Sequence, residues 1–312
     1  MSALMKQSTG VTASRVSRQA NLVSVLWSLP ALAFYLLFAI IPLFIALYLS
    51  FTSWDGVSLN VAWVGLKNWI FLFSDNITGN ALLLTIEVMI ISWVIQTPLS
   101  ILLGIFMAGT QRYRLVFSVI YFIPLLFSAV AIALTWISLL DPNFGLVDAL
   151  LKAMGLSALA QGWLGDPKLA FFVIMGIICW EFIPFHSLLY LGGVRQIPKE
   201  LYEAATIDGA RRFQSFFSIT LPQLKYTVIT STTLIFTGSL TYFDLFWVTT
   251  GGGPGYATRV LPLQMYITAF PDESVGYGSV LAVVLALFGI ALSFAFLRFT
   301  GFTKMSSQLE GL

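Results

Sequence analysis

Charged residues cut the chain into unusually long uncharged intervals. Between Arg18 and Asp55 lie 36 residues without a charge, between Arg114 and Asp141 lie 26, and between Glu273 and Arg298 lie 24. Three more intervals qualify when one acid is allowed inside each: Glu87 between Asp75 and Arg112, Glu181 between Lys168 and Arg195, and Asp244 between Lys225 and Arg259. A helix crosses the hydrocarbon core with about 20 apolar residues. The pattern therefore predicts six transmembrane helices, near 25–50, 82–108, 115–140, 170–193, 226–250 and 275–298. The first apolar run outlasts the roughly 7–15 residues of a signal-peptide core. It also holds Pro30 and Pro42, so it reads as a retained, kinked helix. Pro98, Pro124 and Pro184 fall inside the second, third and fourth spans, where bends are expected.

Composition sharpens this into a class. Of 312 residues, 58% are hydrophobic and 10% charged, whereas a soluble domain carries about 25% charge. An ordinary soluble enzyme and a disordered chain are both excluded. Cys179 and His186 are the sole representatives of their types, so no internal disulfide and no Cys- or His-rich metal cluster forms. Cys179 reads as a small core residue and His186 as a packed one. A net charge of +2 is too small to attract nucleic acid. The fold class is an all-α polytopic membrane protein. Twelve of the 16 Lys and Arg residues fall on one side when the N-terminus is cytoplasmic, so the positive-inside rule places both termini in the cytoplasm. Tails at 1–24 and 299–312 then flank a membrane domain at 25–298. The external segments 51–80 and 141–169 carry Trp54, Trp63, Trp69 and Trp163, and short helices along the membrane surface are expected there.

The hydrophilic segment 194–225 has its own order. Pro198 suits a helix start, Leu201, Ala204 and Ala205 share a face, and Asp208-Gly209 signals a turn. Phe213, Phe216, Phe217 and Leu221 then repeat at helical spacing on one face of a second helix. By pattern alone this is a hairpin that either shields helix ends or receives a partner.

Within it, Glu203-Ala204-Ala205, three residues, Gly209, nine residues, Ile219, one residue and Leu221-Pro222 resemble the EAA signature of ABC importer permeases. The longer form, Ile197 to Leu201 as IPKEL and Glu203 to Ala210 as EAATIDGA, is similar to the maltose-permease-like, sugar-type branch. Val64-Gly65-Leu66-Lys67-Asn68, Trp163-Leu164 and Thr250-Gly251-Gly252-Gly253-Pro254 follow in the expected order. The resemblance implies an ABC type I importer permease-like fold whose hairpin docks in a cleft of a separate ATPase. Glu203 would meet a basic group there, Ala204 and Ala205 would allow close approach, Asp208 and Gly209 would form the turn, and Ile219, Leu221 and Pro222 would complete the motif. No G-x-x-x-x-G-K-[ST] pattern occurs, so the chain is not an enzyme and binds no cofactor; ATP and Mg belong to partner ATPase subunits. The glycines at 251–255 lack the Lys-Ser/Thr of a phosphate loop and read as a tight turn. Further implied partners are a second, homologous permease, an extracytoplasmic solute-binding protein and membrane lipid, in a bacterial or archaeal cytoplasmic (inner) membrane. A heterodimer is favoured over a homodimer.

Ionisable groups inside spans cost about 2.5–3.5 kcal/mol at the helix centre, so they face protein or water. Glu87 lies near the end of its span, where capping or pairing is the simpler role. Trp180, Glu181, Tyr242, Phe243, Asp244 and Trp247 combine aromatic faces with carboxylates, as a sugar ring requires. Helix packing explains the same residues equally well. Gln96, Ser187 and Tyr190 would extend such a path. The alternative function is a proton-coupled secondary transporter using Glu181 and Asp244. An intramembrane enzyme lacks any cluster of nucleophile, base or metal ligands.

Overall fold

The computed structural model describes residues 27–300. The tail expected at 1–24 lies outside the described residues, as does the one expected from 299 onward, apart from two residues that finish the last helix. In chain order the helices are α1 (Trp27–Leu49), α2 (Lys67–Leu72), α3 (Asn76–Met107), α4 (Arg112–Tyr121), α5 (Ala129–Leu139), α6 (Leu146–Ala153) and α7 (Ala170–Arg195). They continue as α8 (Lys199–Ile207), α9 (212–223), α10 (Lys225–Ser239), α11 (Asp244–Thr250), α12 (Leu261–Ala269) and α13 (Val275–Thr300). Among the described residues the one extended pairing is an isolated bridge between Thr52 and Trp63.

Four helices, α1, α3, α7 and α13, are long and apolar enough to cross a membrane. α1 widens into a π turn at Leu36–Ile40 just before Pro42, which is the irregularity expected of that span. α3 starts six residues before its predicted start because Asp75 caps it, accepting from the Ile77 amide at 3.0 Å. Its 32 residues extend about 48 Å, more than the hydrocarbon thickness, so its ends project.

The third and fifth predicted spans are each broken in two. The third passes from α4 through a 3-10 turn at Ile123–Leu126, which holds Pro124, to extended backbone at Phe127 and Ser128. Ser128 Oγ then accepts from the Ala131 amide at 3.3 Å and starts α5. In the fifth, α10 stops at Ser239, Thr241 Oγ1 donates to the Gly238 carbonyl at 2.8 Å, and Asp244 opens α11. A carboxylate in the first turn suits the positive end of the helix dipole. The bends expected at Pro98 and Pro184 do not interrupt α3 or α7, which stay continuous through them.

α3 and α7 share the most extensive helix contact in the molecule. A Cβ on Gly104 would stand 2.7 Å from Tyr190 Cβ and 2.9 Å from the Ser187 carbonyl, so glycine alone permits this approach. α10 packs on both helices, α13 carries α12 and the second half of α1, and the half-helices α5 and α11 pack on each other. Ile174, Ile178, Phe246 and Leu263 form the centre of the main apolar core. α12 falls in a segment read as a loop. Its nine residues are too few to register as a span, yet Leu261, Gln264 and Thr268 are buried and the Leu261 amide donates to Thr85 Oγ1 of α3 at 2.8 Å.

The connecting segments are tied down. α2 and α6 are the short helices expected in the tryptophan-rich loops. Asn68 Nδ2 of α2 donates to the Ser50 and Thr52 carbonyls, and Trp163 Nε1 donates to Asp148 Oδ1 of α6 at 2.7 Å. Asp75 Oδ2 accepts from Thr78 Oγ1 at 2.6 Å and from Tyr277 Oη of α13 at 2.8 Å.

Candidate functional site

Segment 194–225 folds as the expected helical hairpin, α8 and α9. Its inner side joins Ile101 of α3, Tyr190 of α7 and Leu224 through Tyr202, Phe216, Ile219 and Leu221. Tyr202 Oη lies 2.9 Å from Thr220 Oγ1 and ties α8 to α9; nothing in the pattern had singled it out. α8 ends in a Schellman turn, in which the Gly209 amide donates to the Thr206 carbonyl at 3.1 Å and the Ala210 amide to the Ala205 carbonyl at 2.8 Å. Gly209 has φ +75° with nothing within 4 Å of a Cβ, so glycine is needed for backbone handedness rather than for space.

The EAA positions divide by environment. Glu203, Ala204, Asp208, Gly209 and Pro222 are exposed, whereas Ala205, Ile219 and Leu221 are half-buried. Beside the exposed set stand Ile207 and Phe213, 86% and 76% exposed. The four residues expected on one face of the second helix are split by a π turn at Phe216–Thr220. Phe216 and Leu221 turn inward, while Phe213 and Phe217 stay exposed with ring centroids 4.8 Å apart.

The two helix breaks and the middle of α7 border a half-open cavity of about 390 Å³. α7 contributes Glu181, Phe182, Phe185 and His186; Leu125 and Ala129 come from the first break. Leu234 and Gly238 of α10, then Thr241, Tyr242, Phe243, Asp244 and Leu245, complete the wall. Phe182 and Tyr242 rings lie 5.3 Å apart. Glu181 is buried and its Oε2 lacks a hydrogen-bond partner among the described residues, while Asp244 is exposed. His186 Nδ1 sits 3.0 Å from Ser231 Oγ, a packed histidine at the cavity edge.

Of the six residues singled out for a solute path, Glu181, Tyr242, Phe243 and Asp244 line this cavity. Trp180 and Trp247 do not. Trp180 packs edge-on against Trp136 and faces a separate apolar hollow with Tyr121 and Phe127. Trp247 stacks along Phe243 and meets Tyr266. Phe182, Phe185, His186 and Thr241 went unremarked as lining, although the i, i+4 pairs Glu181/Phe185 and Phe182/His186 share one side of α7. Glu87 is exposed a full dozen residues into α3, whose cap is Asp75 instead. Gln96, Ser187 and Tyr190 are buried between helices, with Gln96 Nε2 3.9 Å from Cys179 Sγ. No group of three or more His, Cys, Asp or Glu among the described residues is placed to hold a metal.

An exposed hairpin joined to a helical membrane domain, with a cavity at two helix breaks, is the architecture of a transport permease. Residues 96–300 match the family described as binding-protein-dependent transport system inner membrane component, and the chain belongs to that family. It is 35% identical to the probable ABC transporter permease protein YurN of Bacillus subtilis, over 90% of this chain and 97% of that one. It is 34% identical to the trehalose/maltose transport system permease protein MalF of Thermococcus litoralis, over 89% of this chain and 92% of that one. In fold it is similar to a crystal structure of a bacterial ABC transporter involved in the import of the acidic polysaccharide alginate, with a TM-score of 0.78 at 21% identity, over 93% of this chain and 98% of that chain. The protein is thus a multi-pass inner-membrane permease component of a binding-protein-dependent ABC importer and not its ATPase. The proton-coupled alternative is set aside by this membership.

Proposed function

We propose that this chain forms one half of a sugar-importing pore that crosses the membrane six times, with both ends in the cytoplasm. α1, α3, α7 and α13 make four crossings, and α4 with α5 and α10 with α11 make the other two. A second, homologous permease completes the pathway. Two ATPase subunits, which carry ATP and Mg, engage the hairpins, and an extracytoplasmic solute-binding protein delivers the solute. The trehalose/maltose relative and the alginate importer support a saccharide, and they leave its charge open.

Coupling runs through the hairpin. The observation that carries this reading is its two-sidedness: Glu203, Ala204, Asp208 and Gly209 stand exposed beside bare Ile207 and Phe213, while Tyr202, Ile219 and Leu221 are anchored in the membrane domain. Exposed apolar surface of this kind asks for a protein partner. Force applied to α8 passes through the Tyr202–Thr220 link into α9 and α10, whose far end borders the cavity. Glu181, Tyr242, Phe243 and Asp244 then belong to the solute path.

Tagging the chain and extracting it in mild detergent tests the coupling. The wild-type chain is expected to bring with it an ATPase and a second permease. Glu203→Lys should insert in the membrane yet lose the ATPase. An ATPase retained by that variant, or a wild-type chain recovered alone, overturns the assignment.

A further inference from the structure

Building on the solute-path reading above, we infer that the cavity at the helix breaks selects uncharged saccharides over acidic ones, with Glu181 as the residue that holds solute hydroxyls. Glu181 is only 7% exposed, lines the cavity, and leaves Oε2 without a partner among the described residues. A buried polar atom without a partner in a native fold calls for one. A carboxyl oxygen accepts from a saccharide hydroxyl, and the protonated group can donate to one as well, so a hydroxyl complements it in either state. The Phe182 and Tyr242 rings beside it supply apolar faces for the C–H side of a sugar ring.

The same wall is hostile to an anion. No Lys or Arg lines it, and its fixed acids are Glu181 and Asp244. His186, the remaining basic side chain there, has Nδ1 engaged with Ser231 Oγ. A solute carboxylate would give up its hydration with no cation on this chain's wall to replace it, and would lie beside the Asp244 carboxylate as well. A hollow of about 390 Å³ has room for a sugar ring beside these groups.

The test uses the intact importer complex in nanodiscs, with Ala129→Cys as a reporter in the cavity wall and Cys179→Ser to remove the native thiol. Labelling by a small maleimide is followed with maltotriose or trigalacturonate present. Maltotriose should slow labelling and trigalacturonate should not. Glu181→Gln should raise the maltotriose concentration needed by roughly tenfold, the scale of a hydrogen bond to a charged acceptor. Glu181→Lys should admit trigalacturonate protection. Equal or better protection by trigalacturonate without a Glu181 substitution overturns the charge inference and leaves the solute path standing; that comparison does not depend on the folding of any Glu181 variant. If neither probe protects, the solute carried by the co-purified binding protein decides: protection by an acidic solute overturns the inference, protection by a neutral one upholds it, and no protection overturns the solute path itself.

Discussion

The paired helices α3 and α7 and the two broken spans answer the same demand in opposite ways. In the six-crossing reading proposed above, all must satisfy their backbone groups where water is absent, and three of the four carry a proline in mid-span: Pro98, Pro184 and Pro124. α3 and α7 stay continuous, and they share the most extensive helix contact among the described residues. The third span breaks where its proline is followed by a serine able to start a new helix, and the fifth breaks without any proline, at Leu240 to Phe243. Proline is therefore neither necessary nor sufficient for a break here. The continuous pair forms the frame, and the breaks open the cavity.

If the frame depends on close approach, the largest effect should come from filling that contact. Gly104→Leu places a side chain where a Cβ already meets Tyr190 Cβ at 2.7 Å and the Ser187 carbonyl at 2.9 Å. The expected cost is about 3 kcal/mol, at the upper end for overpacking. It is measured as loss of monodisperse protein and a lower unfolding temperature in detergent. Gly176→Leu on the exposed side of α7, where nothing lies within 4 Å of a Cβ, is the matched control and should leave both unchanged.

The frame's second fixture is the Asp75 cap. Burial raises this carboxyl's pKa, and hydrogen bonds from Thr78, Tyr277 and the Ile77 amide outweigh it, holding the group below the usual value of 3.8. A folded-state pKa below the unfolded one stabilises the protein above the unfolded value, and the contribution is lost as pH falls through the folded one. Asp75→Asn keeps an acceptor for the cap but removes the charge from the oxygen that accepts from Thr78 and Tyr277, and should cost about 1 kcal/mol at neutral pH. The gap between variant and wild type should begin to narrow as pH falls below about 3.8, where Asp75 of the unfolded chain protonates first, and should close as pH passes the lower folded-state value. Thermal unfolding between pH 3 and 7 reads this directly.

The frame was legible in the sequence and the breaks were not, for a physical reason. Charge-free length reports how much chain a bilayer can hold, and it located α1, α3, α7 and α13 to within a few residues. It is blind to whether that length is one helix or two, since both bury the same apolar side chains. Ser128 and Asp244 carried the missing signal, each a residue type favoured at a helix start in the middle of an apolar run. The hairpin was readable because its turn needs glycine at position 209, with its positive φ, and because its helices are short and amphipathic. Its division into exposed and anchored halves was not, because a π turn shifts which phenylalanines face inward. Cavity residues on α7 were half found. Carboxylates attract notice inside a membrane, whereas Phe182 and Phe185 look like any lipid-facing aromatic until a partner helix stops short beside them.

The smallest expected effect tests the break itself. Ser128→Ala removes the Oγ that accepts from the Ala131 amide at 3.3 Å, a long bond, so the expected loss is at the low end of cap substitutions, about 0.5 kcal/mol. Global unfolding should barely register it. Amide hydrogen exchange should, with faster exchange confined to the first turn of α5 and no change in α3 or α7. Ser118→Ala in α4 removes a side-chain bond to the Arg114 carbonyl within a continuous helix turn and should leave exchange unaltered. If Ser128→Ala instead slows exchange across 122–129, the serine is preventing α4 and α5 from joining, and the break is a choice made by one side chain. Exchange that rises only at Ala131 means that the backbone between Pro124 and Ser128 is held open by the packing of the 3-10 turn against α7, and the serine merely finishes it.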